Sequence, residues 1–420
     1  MEKETIDFQS LVRVNSELSK IQDLDILLEQ ILFMARKVVS ADAGSIYVRQ
    51  TASKKKEEPT DELQIKHAQN DTFQKSLPPG EKQVYSRFSV PINEKSISGY
   101  CAHTRKTINL PDMYNIPTDA PYSFNSIFDK LTGYKTTSTL TFPLATEERL
   151  LGVIQVINKM DKQGNVISFS EEDELVLTNF ASSATAAMQR AYLTRAMIMR
   201  MIKMSELRDP KETGSHVNRV AGYTVEIYDR WAYIHKIPGE ERRSFRDILR
   251  IGAMLHDVGK VAISDMLLKK PARFTPEEFL VMKHHTVYGA SLFDNPVSAV
   301  DNVAMEIALT HHENWDGTGY PGWIDPVTNA VIKGDESGRP LGKKGDEIPL
   351  AGRLVAIADV FDALSSKRVY KDPWSEDQVL EHMRELSGTK FDPELLGIFF
   401  EVLPIIKHIQ KLYPEEVASD

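Results

Sequence analysis

The sequence is poor in several features that mark large classes of protein. Cys101 is the only cysteine among 420 residues, so an internal disulfide and a cysteine-built zinc site are excluded. No apolar run approaches the roughly 20 residues that span a bilayer, and the first residues are charged, unlike a secretory signal. The formal net charge of −9 argues against a general binder of nucleic acid or anionic membrane. These absences predict a cytoplasmic protein with no membrane span and no nucleic-acid polymer as a partner.

The length predicts more than one domain, because 420 residues exceed what one ordinary core holds. In the first part of the chain, one helical pattern runs from Ile6 to about Val39 and another covers residues 97–103. The predicted strands cover residues 43–48, 88–92, 107–110, 136–143 and 150–158. Helices beside a mostly antiparallel sheet indicate an α+β domain, which we place at residues 1–185.

A set of polar and aromatic residues links the last predicted strand to the helix after it. The set consists of Asn158, Lys159, Phe169, Asp173 and Glu174. It resembles the Asn-Lys-Phe-Asp-Glu signature of GAF domains, which are small sensor modules that bind ligands. From the residues alone, Lys159 can pair with Asp173 and hold the helix to the sheet, a clasp that needs no ligand. The resemblance implies a sensor domain that regulates the rest of the chain, and the identity of its small-molecule ligand stays open.

A long helical pattern follows, from Glu171 to about Leu207. Apolar or small residues recur close to a seven-residue repeat at Leu177, Ala181, Ala184, Met188, Ala191, Ile198, Ile202 and Ser205. We predict a connecting helix at residues 175–208 that pairs with its copy in a parallel homodimer. The alternative is an amphipathic helix that packs on its own domain.

Beyond this helix the pattern is helical throughout, which predicts an all-α second domain at residues 209–415. The predicted helices cover residues 217–231, 243–256, 276–292, 300–311, 350–364, 375–386 and 392–402. Pro276, followed by two acids, is typical of a first helical turn. The fold class expected for the whole chain is therefore multidomain, with an α+β domain, a long connecting helix and a helical domain.

Histidines and acids are concentrated in this second domain. Six of the 11 histidines lie there within a short stretch: His216, His256, His284, His285, His311 and His312. His256 and Asp257 offer an imidazole and a carboxylate from adjacent positions, and a carboxylate such as Asp257 can bridge two cations. The His311-His312 pair leads into a Gly-Thr-Gly-Tyr-Pro turn that presents Tyr320. Asp359 ends an apolar stretch, where an unpaired carboxylate is costly to bury. These residues predict a site for more than one metal ion.

Two stretches of sequence carry a family resemblance. His256-Asp257-x-Gly259-Lys260 and His311-His-Glu-x-Trp-Asp-Gly-x-Gly-Tyr-Pro321 together resemble the HD-GYP family of bacterial cyclic di-GMP phosphodiesterases. Further matches are Thr213 to Arg219, Lys270-Pro271, His285-x-x-x-Gly289, Arg353 to Asp362, Arg368-x-Tyr370-Lys371 and Phe391-Asp392-Pro393. The resemblance implies a domain of the HD superfamily that hydrolyses cyclic di-GMP to linear pGpG, with onward cleavage to GMP as a further expectation.

The resemblance also implies a set of metal ligands. They are His256, Asp257, His285, His311, His312 and Asp359, with Glu212 and His216 added for a third metal. The alternative for Glu212 is a solvated acid near a helix start, and His284 is the alternative to His285. Imidazole and carboxylate without thiolate suit iron, manganese, zinc or nickel. The resemblance favours two or three iron ions, with manganese as the substitute.

Roles in catalysis and substrate binding are implied in the same way. Asp257 and Lys260 are the expected catalytic residues, with Lys260 stabilising the phosphorane or the leaving oxygen. Tyr320 is expected at the edge of the substrate, and Arg368 and Lys371 are expected to hold its phosphates. The alternative for Lys260 is an ion pair with a ligating acid, and Arg368 and Lys371 are alternatively surface charges.

One departure from the family lies directly after the Tyr-Pro turn, where residues 323–347 form an insert in a gap that the family usually crosses in fewer residues. An insert at the rim of the site can act as a lid or change which dinucleotide fits. A hydrolase of a hybrid cyclic GMP-AMP dinucleotide therefore stays an alternative. Two others are a catalytically silent protein that binds cyclic dinucleotides and a different HD-type phosphohydrolase acting on nucleotides.

Overall fold

The computed structural model describes residues 16–50, 61–77, 88–208, 213–365 and 374–414. The chain divides into two compact units, Met1–Thr194 and Arg195–Asp420. The predicted fold class is confirmed, with an α+β first unit and a helical second unit joined along one long helix.

The first unit is built on one antiparallel sheet. Its strands are β1 (Ala41–Gln50), β2 (Glu62–Asn70), β3 (Ser89–Pro91), β4 (Ile108–Leu110), β5 (Thr139–Ala145), β6 (Leu150–Met160) and β7 (Val166–Ile167). The spatial order is β3-β2-β1-β6-β5-β4, and β7 pairs with β6. The helices are α1 (Leu24–Val38), α2 (Asp71–Gln74), α3 (Ile97–Thr104), α4 (Ile127–Thr132) and α5 (Glu171–Glu206). One core joins α1 and α5 to the sheet, and a second core packs around α3.

The single N-terminal helix expected from Ile6 to Val39 is wrong in its described part. Residues 16–20 are helical, residues 21–23 are not, and α1 starts at Leu24. Asp23 causes the restart, because its carboxylate accepts a hydrogen bond from the backbone N–H of Ile26 at 3.0 Å. Residues 6–15 lie outside the described part of the chain.

The clasp between Lys159 and Asp173 is present. The Lys159 ammonium donates to Asp173 Oδ2 at 2.5 Å. The same carboxylate oxygen accepts from the backbone N–H of Ser170 at 2.7 Å, just before α5 begins. Phe169 is buried beside it. Lys159 therefore ties β6 to the start of α5 without any ligand.

The dimer seam predicted on α5 is wrong for the residues that were assigned to it. Leu177, Ala184 and Met188 are buried in the core of the first unit, and Ile198 and Ile202 are buried in the core of the second. The repeat arises because the helix packs its small and apolar face on the chain's own domains. A different face of α5 stays exposed.

The described residues of the second unit form ten further α-helices, most of which share one core. They are α6 (Gly214–Ile234), α7 (Gly239–Met254), α8 (Asp265–Leu268), α9 (Pro276–Lys283), α10 (His285–Ser291), α11 (Ala299–Thr310), α12 (Leu350–Ser365), α13 (Glu376–Glu385), α14 (Pro393–Glu401) and α15 (Leu403–Leu412). A short 3-10 helix (Val258–Ala262) follows α7, and another (Gly345–Glu347) precedes α12. The core joins α6, α7, α11, α12 and α14 most heavily.

The insert after the Tyr-Pro turn is folded on itself. Isolated antiparallel bridges join Ile324 to Val331 and Gly334 to Pro340. The backbone N–H of Trp323 donates to Leu341 O at 2.8 Å, which closes the base of the insert. Residues 324–340 are held by these single bridges rather than by a regular hairpin, since the segment is rich in turn residues.

Candidate metal centre

Five helices bring the predicted ligands together, and one of them is α6, which carries His216. His256 and Asp257 follow the end of α7, His285 opens α10, and His311 follows the end of α11. Asp359 lies on α12. The end of α7, the start of α10 and the end of α11 lie close together. The polar side chains at these helix ends therefore face one common site.

Two glycines allow this approach. A Cβ on Gly259 would lie 2.0 Å from the carbonyl oxygen of His285 and 2.3 Å from the backbone nitrogen of Gly289. The 3-10 helix after Asp257 and helix α10 therefore touch backbone to backbone. This contact explains why the stretch around His256 and the stretch around His285 both carry a glycine.

The structure groups seven of the predicted ligands into two clusters. The first cluster holds Asp257, His285, His311 and His312, and the second holds His216, His256 and Asp359. Within each cluster, one donor atom from every residue lies within 4.8 Å of the others. His285, which was preferred to His284 as a ligand, lies in the first cluster. The ring of His284 instead packs against Tyr288.

Asp257 lies between the two clusters and offers one oxygen to each. Its Oδ1 is 3.1 Å from His285 Nε2 and 3.5 Å from His311 Nε2. Its Oδ2 is 3.3 Å from His256 Nε2 and 2.8 Å from the Lys260 ammonium. A carboxylate in this position has the geometry that a ligand bridging two cations requires.

Backbone carbonyls orient three of the imidazoles. Nδ1–H of His256 donates to Ala253 O at 2.9 Å, and Nδ1–H of His285 donates to Met282 O at 2.7 Å. His311 makes the equivalent bond, also at 2.9 Å, to the carbonyl four residues before it. Since a carbonyl only accepts, each ring carries its proton on Nδ1 and directs the lone pair of Nε2 into the centre. Metal-binding histidines are held in this way.

His216 is oriented by a carboxylate instead. Its Nδ1 donates to Asp362 Oδ2 at 2.8 Å, and its Nε2 lies 3.7 Å from Asp359 Oδ1. Arg219 donates to both oxygens of Asp362, at 2.6 and 2.7 Å. Asp362 therefore links a buried guanidinium to one imidazole of the second cluster.

The donor set fits metal ions. Nε2 of His285, Nε2 of His311 and Oδ1 of Asp257 are buried and make no hydrogen bond with any described residue, although they lie close to one another. Buried donors and acceptors rarely stay unsatisfied in a native fold. A divalent cation would satisfy all three, and the absence of thiolate favours a metal that accepts nitrogen and oxygen ligands.

The electrostatics of the centre favour the forms that bind metal. Burial lowers the pKa of His311, and burial together with its histidine neighbours lowers the pKa of His312 well below its usual value. Burial would raise the pKa of Asp257, but Lys260 and His256 outweigh it and hold that pKa well below its usual range. Neutral imidazoles and an ionised carboxylate are the ligand states that cations require.

Tyr320 lies at the edge of the centre. Its ring stacks on His312 with centroids 4.8 Å apart and 30° between the planes. Burial, and next the charge of Asp257, raises the pKa of Tyr320, so its hydroxyl keeps its proton. Lys260 forms an ion pair with Asp257, as the alternative to a catalytic role expected. Its role in catalysis stays a prediction.

Three predicted residues cannot be placed. Glu212, Arg368 and Lys371 lie outside the described residues, so their roles stay predictions. The structure therefore assembles His216 with the second cluster but does not test whether Glu212 joins it.

Sequence reasoning missed a buried acid beside the centre. Glu313 is 2% exposed and accepts hydrogen bonds from the backbone N–H of Gly322 at 2.6 Å and of Lys343 at 3.1 Å. Burial raises its pKa to about 6. Glu313 thus fastens the Tyr-Pro turn to the end of the insert. Its position directly after the two histidines was the available signal.

Lys390 is a second residue that was missed. Its ammonium lies 3.4 Å from Asn314 Oδ1, and its charge contributes to the lowered pKa of His312. Burial lowers the pKa of Lys390 itself. The sequence feature that could have pointed to Lys390 is its position immediately before the family match at Phe391-Asp392-Pro393.

Comparison with known proteins identifies both units. Residues 213–364 match the HD domain family, and residues 23–188 match the GAF domain family. The chain thus contains one segment that matches the GAF domain family and one that matches the HD domain family. The HD match contains every residue of the two metal-type clusters, and the GAF match contains the clasp between Lys159 and Asp173.

Several relatives of the chain have names that state an activity. A 3′3′-cGAMP-specific phosphodiesterase 2 of Vibrio cholerae is 39% identical over 191 residues, which are 46% of this chain and 31% of that protein. A probable cyclic di-GMP phosphodiesterase of the same species is 37% identical over 230 residues, which are 53% of this chain and 48% of that protein. A cyclic di-GMP phosphodiesterase of Thermotoga maritima is 36% identical over 217 residues, which are 52% of this chain and 50% of that protein.

The chain spans about half the length of these relatives or less. The family resemblance predicted from the sequence is confirmed by the two domain matches and by these relatives. Among the described residues, no helix is both long and apolar enough to cross a membrane.

Proposed function

We propose that the chain is a metal-dependent phosphodiesterase that hydrolyses cyclic di-GMP to linear pGpG and onward to GMP. The observation that carries this proposal is the position of Asp257, which belongs to the first cluster through Oδ1 and lies beside His256 of the second cluster through Oδ2. The names of the relatives support cyclic dinucleotides as the substrate class.

The proposed ligands are His256, Asp257, His285, His311, His312, Asp359 and His216, with Glu212 as the eighth. Iron is the proposed metal and manganese its substitute, as the family resemblance implies, and a ligand set without thiolate is compatible with both. When bound, such ions supply an activated water and neutralise charge on the phosphate. His256, His285 and His311 contribute by keeping their Nδ1 protons on backbone carbonyls, which leaves Nε2 free to bind the ions.

The remaining residues act on the substrate in this proposal. Lys260 keeps Asp257 ionised and offers its ammonium to an oxygen that gains negative charge. Tyr320 presents a protonated hydroxyl and a ring edge to the nucleotide. Arg368 and Lys371 hold phosphate oxygens. Substrate hydrolysis with these roles is a phosphoric diester hydrolase reaction.

The experiment that tests the proposal joins metal content to product. The protein is purified without oxygen, its metals are counted by elemental analysis, and cyclic di-GMP is followed by chromatography. We expect about three iron or manganese ions per chain, with pGpG and then GMP appearing. Asp257→Ala is expected to lose both metal and activity. Tight metal binding without hydrolysis in the unmutated protein would contradict the enzyme proposal and leave a silent binding protein.

A second substrate is favoured by one observation, because a 39% identical relative is named a 3′3′-cGAMP-specific phosphodiesterase. The insert of residues 323–347 lies against Glu313, directly beyond the paired histidines. The hybrid dinucleotide is therefore run beside cyclic di-GMP in the same assay. The ratio of the two kcat/KM values decides which one is the substrate.

The proposed context is cytoplasmic and regulatory. The single cysteine is the ground for the location, and the GAF domain is the ground for control by a small molecule that the sequence does not identify. We also propose a homodimer through the exposed face of α5. Leu193, Met197, Met204 and Leu207 follow the spacing of a coiled-coil seam, and they are between 60% and 72% exposed.

A further inference from the structure

A cleft of about 620 Å³ opens beside helix α9, next to the metal centre. Its lining includes Lys270, Arg273, Phe274 and Phe279. Its volume falls within the roughly 300–1,000 Å³ of sites that hold small molecules. None of these residues belongs to the proposed set of ligands or substrate contacts.

Two aromatic contacts join the cleft to the centre. The ring of Phe279, which lines the cleft, meets the ring of Tyr320 edge-on, with centroids 6.0 Å apart and 80° between the planes. Tyr320 in turn stacks on His312. Only the ring of Tyr320 therefore separates the cleft residue Phe279 from the proposed metal ligand His312.

A lysine lies over both of these rings. The ammonium of Lys283 is 4.9 Å from the centroid of Phe279 and 5.0 Å from that of Tyr320. No described carboxylate forms an ion pair with Lys283 or with Arg273, whereas Lys270 is neutralised by Glu278 at 2.5 Å. Phe279 is still 41% exposed, so the lysine leaves part of its ring open. An open ring with uncompensated cations beside it suits a flat, anionic ligand.

We propose that this cleft holds the second nucleotide of the cyclic dinucleotide, the one whose phosphate is not at the metals. Phe279 stacks on its base, Lys283 donates to the base edge, and Arg273 contacts the remaining phosphate. This inference rests on the proposed function. Guanine presents two acceptors, O6 and N7, on the edge that lysine and arginine recognise, whereas adenine presents a donor there. The cleft is thus specific for guanine over adenine.

The test compares substrates with and without a base. Phe279→Ala and Lys283→Met are assayed with cyclic di-GMP, with cyclic di-AMP and with bis(p-nitrophenyl) phosphate, a diester that has no base. For Phe279→Ala we expect kcat/KM for cyclic di-GMP to fall roughly tenfold more than kcat/KM for the simple diester, since one base stack is lost. Lys283→Met is expected to reduce the preference for cyclic di-GMP over cyclic di-AMP by roughly tenfold.

Leu280→Ala is the matched control, because Leu280 is exposed on the same helix but does not line the cleft. An equal fall for all substrates, or no fall, in both cleft variants would overturn the inference while the enzyme proposal stands. An unmutated protein that cleaves only the simple diester would overturn the proposed function, and the inference with it. A selective fall that Leu280→Ala does not reproduce supports the cleft as a nucleotide subsite.

Discussion

Asp362 is completely buried and is hydrogen-bonded to both Arg219 and His216. Its two oxygens accept three hydrogen bonds, two from Arg219 and one from His216. Burial would raise the pKa of Asp362, but Arg219 and His216 outweigh it and lower that pKa below its usual value. The ionised carboxylate therefore fixes the ring of His216 with Nε2 towards Asp359.

Asp362→Ala is expected to destabilise the second unit by about 3–5 kcal/mol, because the buried Arg219 loses its carboxylate. Urea denaturation measures the change. Asp294→Ala, which removes an exposed acid, is the control and is expected to stay within about 0.5 kcal/mol. Since the pKa of Asp362 is lowered on folding, its contribution is present at neutral pH and disappears as the pH falls below about 4. A loss no larger than that of the control would show that the network is dispensable.

Residues with a distinctive local pattern could be predicted from the sequence, and residues without one could not. His311 and His312 were found because two adjacent imidazoles before a glycine-rich turn are rare. Asp362 had been matched only as part of a longer stretch, because an acid on a helix is more often solvated than buried. Its role depends on Arg219, which lies 143 positions away and meets it only through packing.

Helix α5 has two faces with different partners. Its small and apolar face is buried in the chain's own cores. Its opposite face carries the exposed residues Leu193, Met197 and Met204, and Leu207 is exposed directly after the end of the helix. Both faces repeat with nearly the same period, so periodicity alone did not distinguish them. The burial of the side chains distinguishes the two faces. We therefore place the proposed dimer seam on the exposed face instead of the small and apolar one.

Met197→Glu combined with Met204→Glu is expected to weaken the proposed dimer roughly 100-fold or more, because two carboxylates would be buried without partners. Sedimentation velocity over a range of concentrations measures the shift to monomer. Met266→Glu changes another exposed methionine, on α8, and is expected to leave the association unchanged. Dimers that persist in the double variant would place the contact elsewhere.

Elements with strong patterns were predicted well, and weak ones were not. Strands β5 and β6 are long and apolar, and the structure contains both. Strand β2 was missed, since only Leu63 and Ile65 alternate inward among polar neighbours. Its strand character comes from pairing with β1 along eight residue pairs, which is a tertiary effect. The bridged insert is another case, because Glu313 accepts a hydrogen bond from the backbone N–H of Lys343, which lies 30 positions away.

At the scale of the whole molecule, the two units have separate cores, and the proposed metal ligands all belong to the second. The core of α1, α5 and the sheet contains no residue of either cluster. A ligand that binds only the folded state stabilises the unit that binds it. Metal should therefore raise the stability of the HD unit without raising that of the GAF unit.

We expect calorimetry to resolve two unfolding transitions, of which a chelator lowers one. With free metal at 100 times its Kd, the lost stabilisation is about 2.7 kcal/mol, which lowers the Tm of a unit of this size by roughly 5–10 °C. Asp173→Ala breaks the clasp to Lys159 and is expected to lower the other transition, which identifies it as the GAF unit. Asp257→Ala should make the chelator-sensitive transition, that of the HD unit, insensitive to the chelator. If the chelator moved both transitions equally, the metal would not be confined to the HD unit, and the assignment of its ligands would have to be revised.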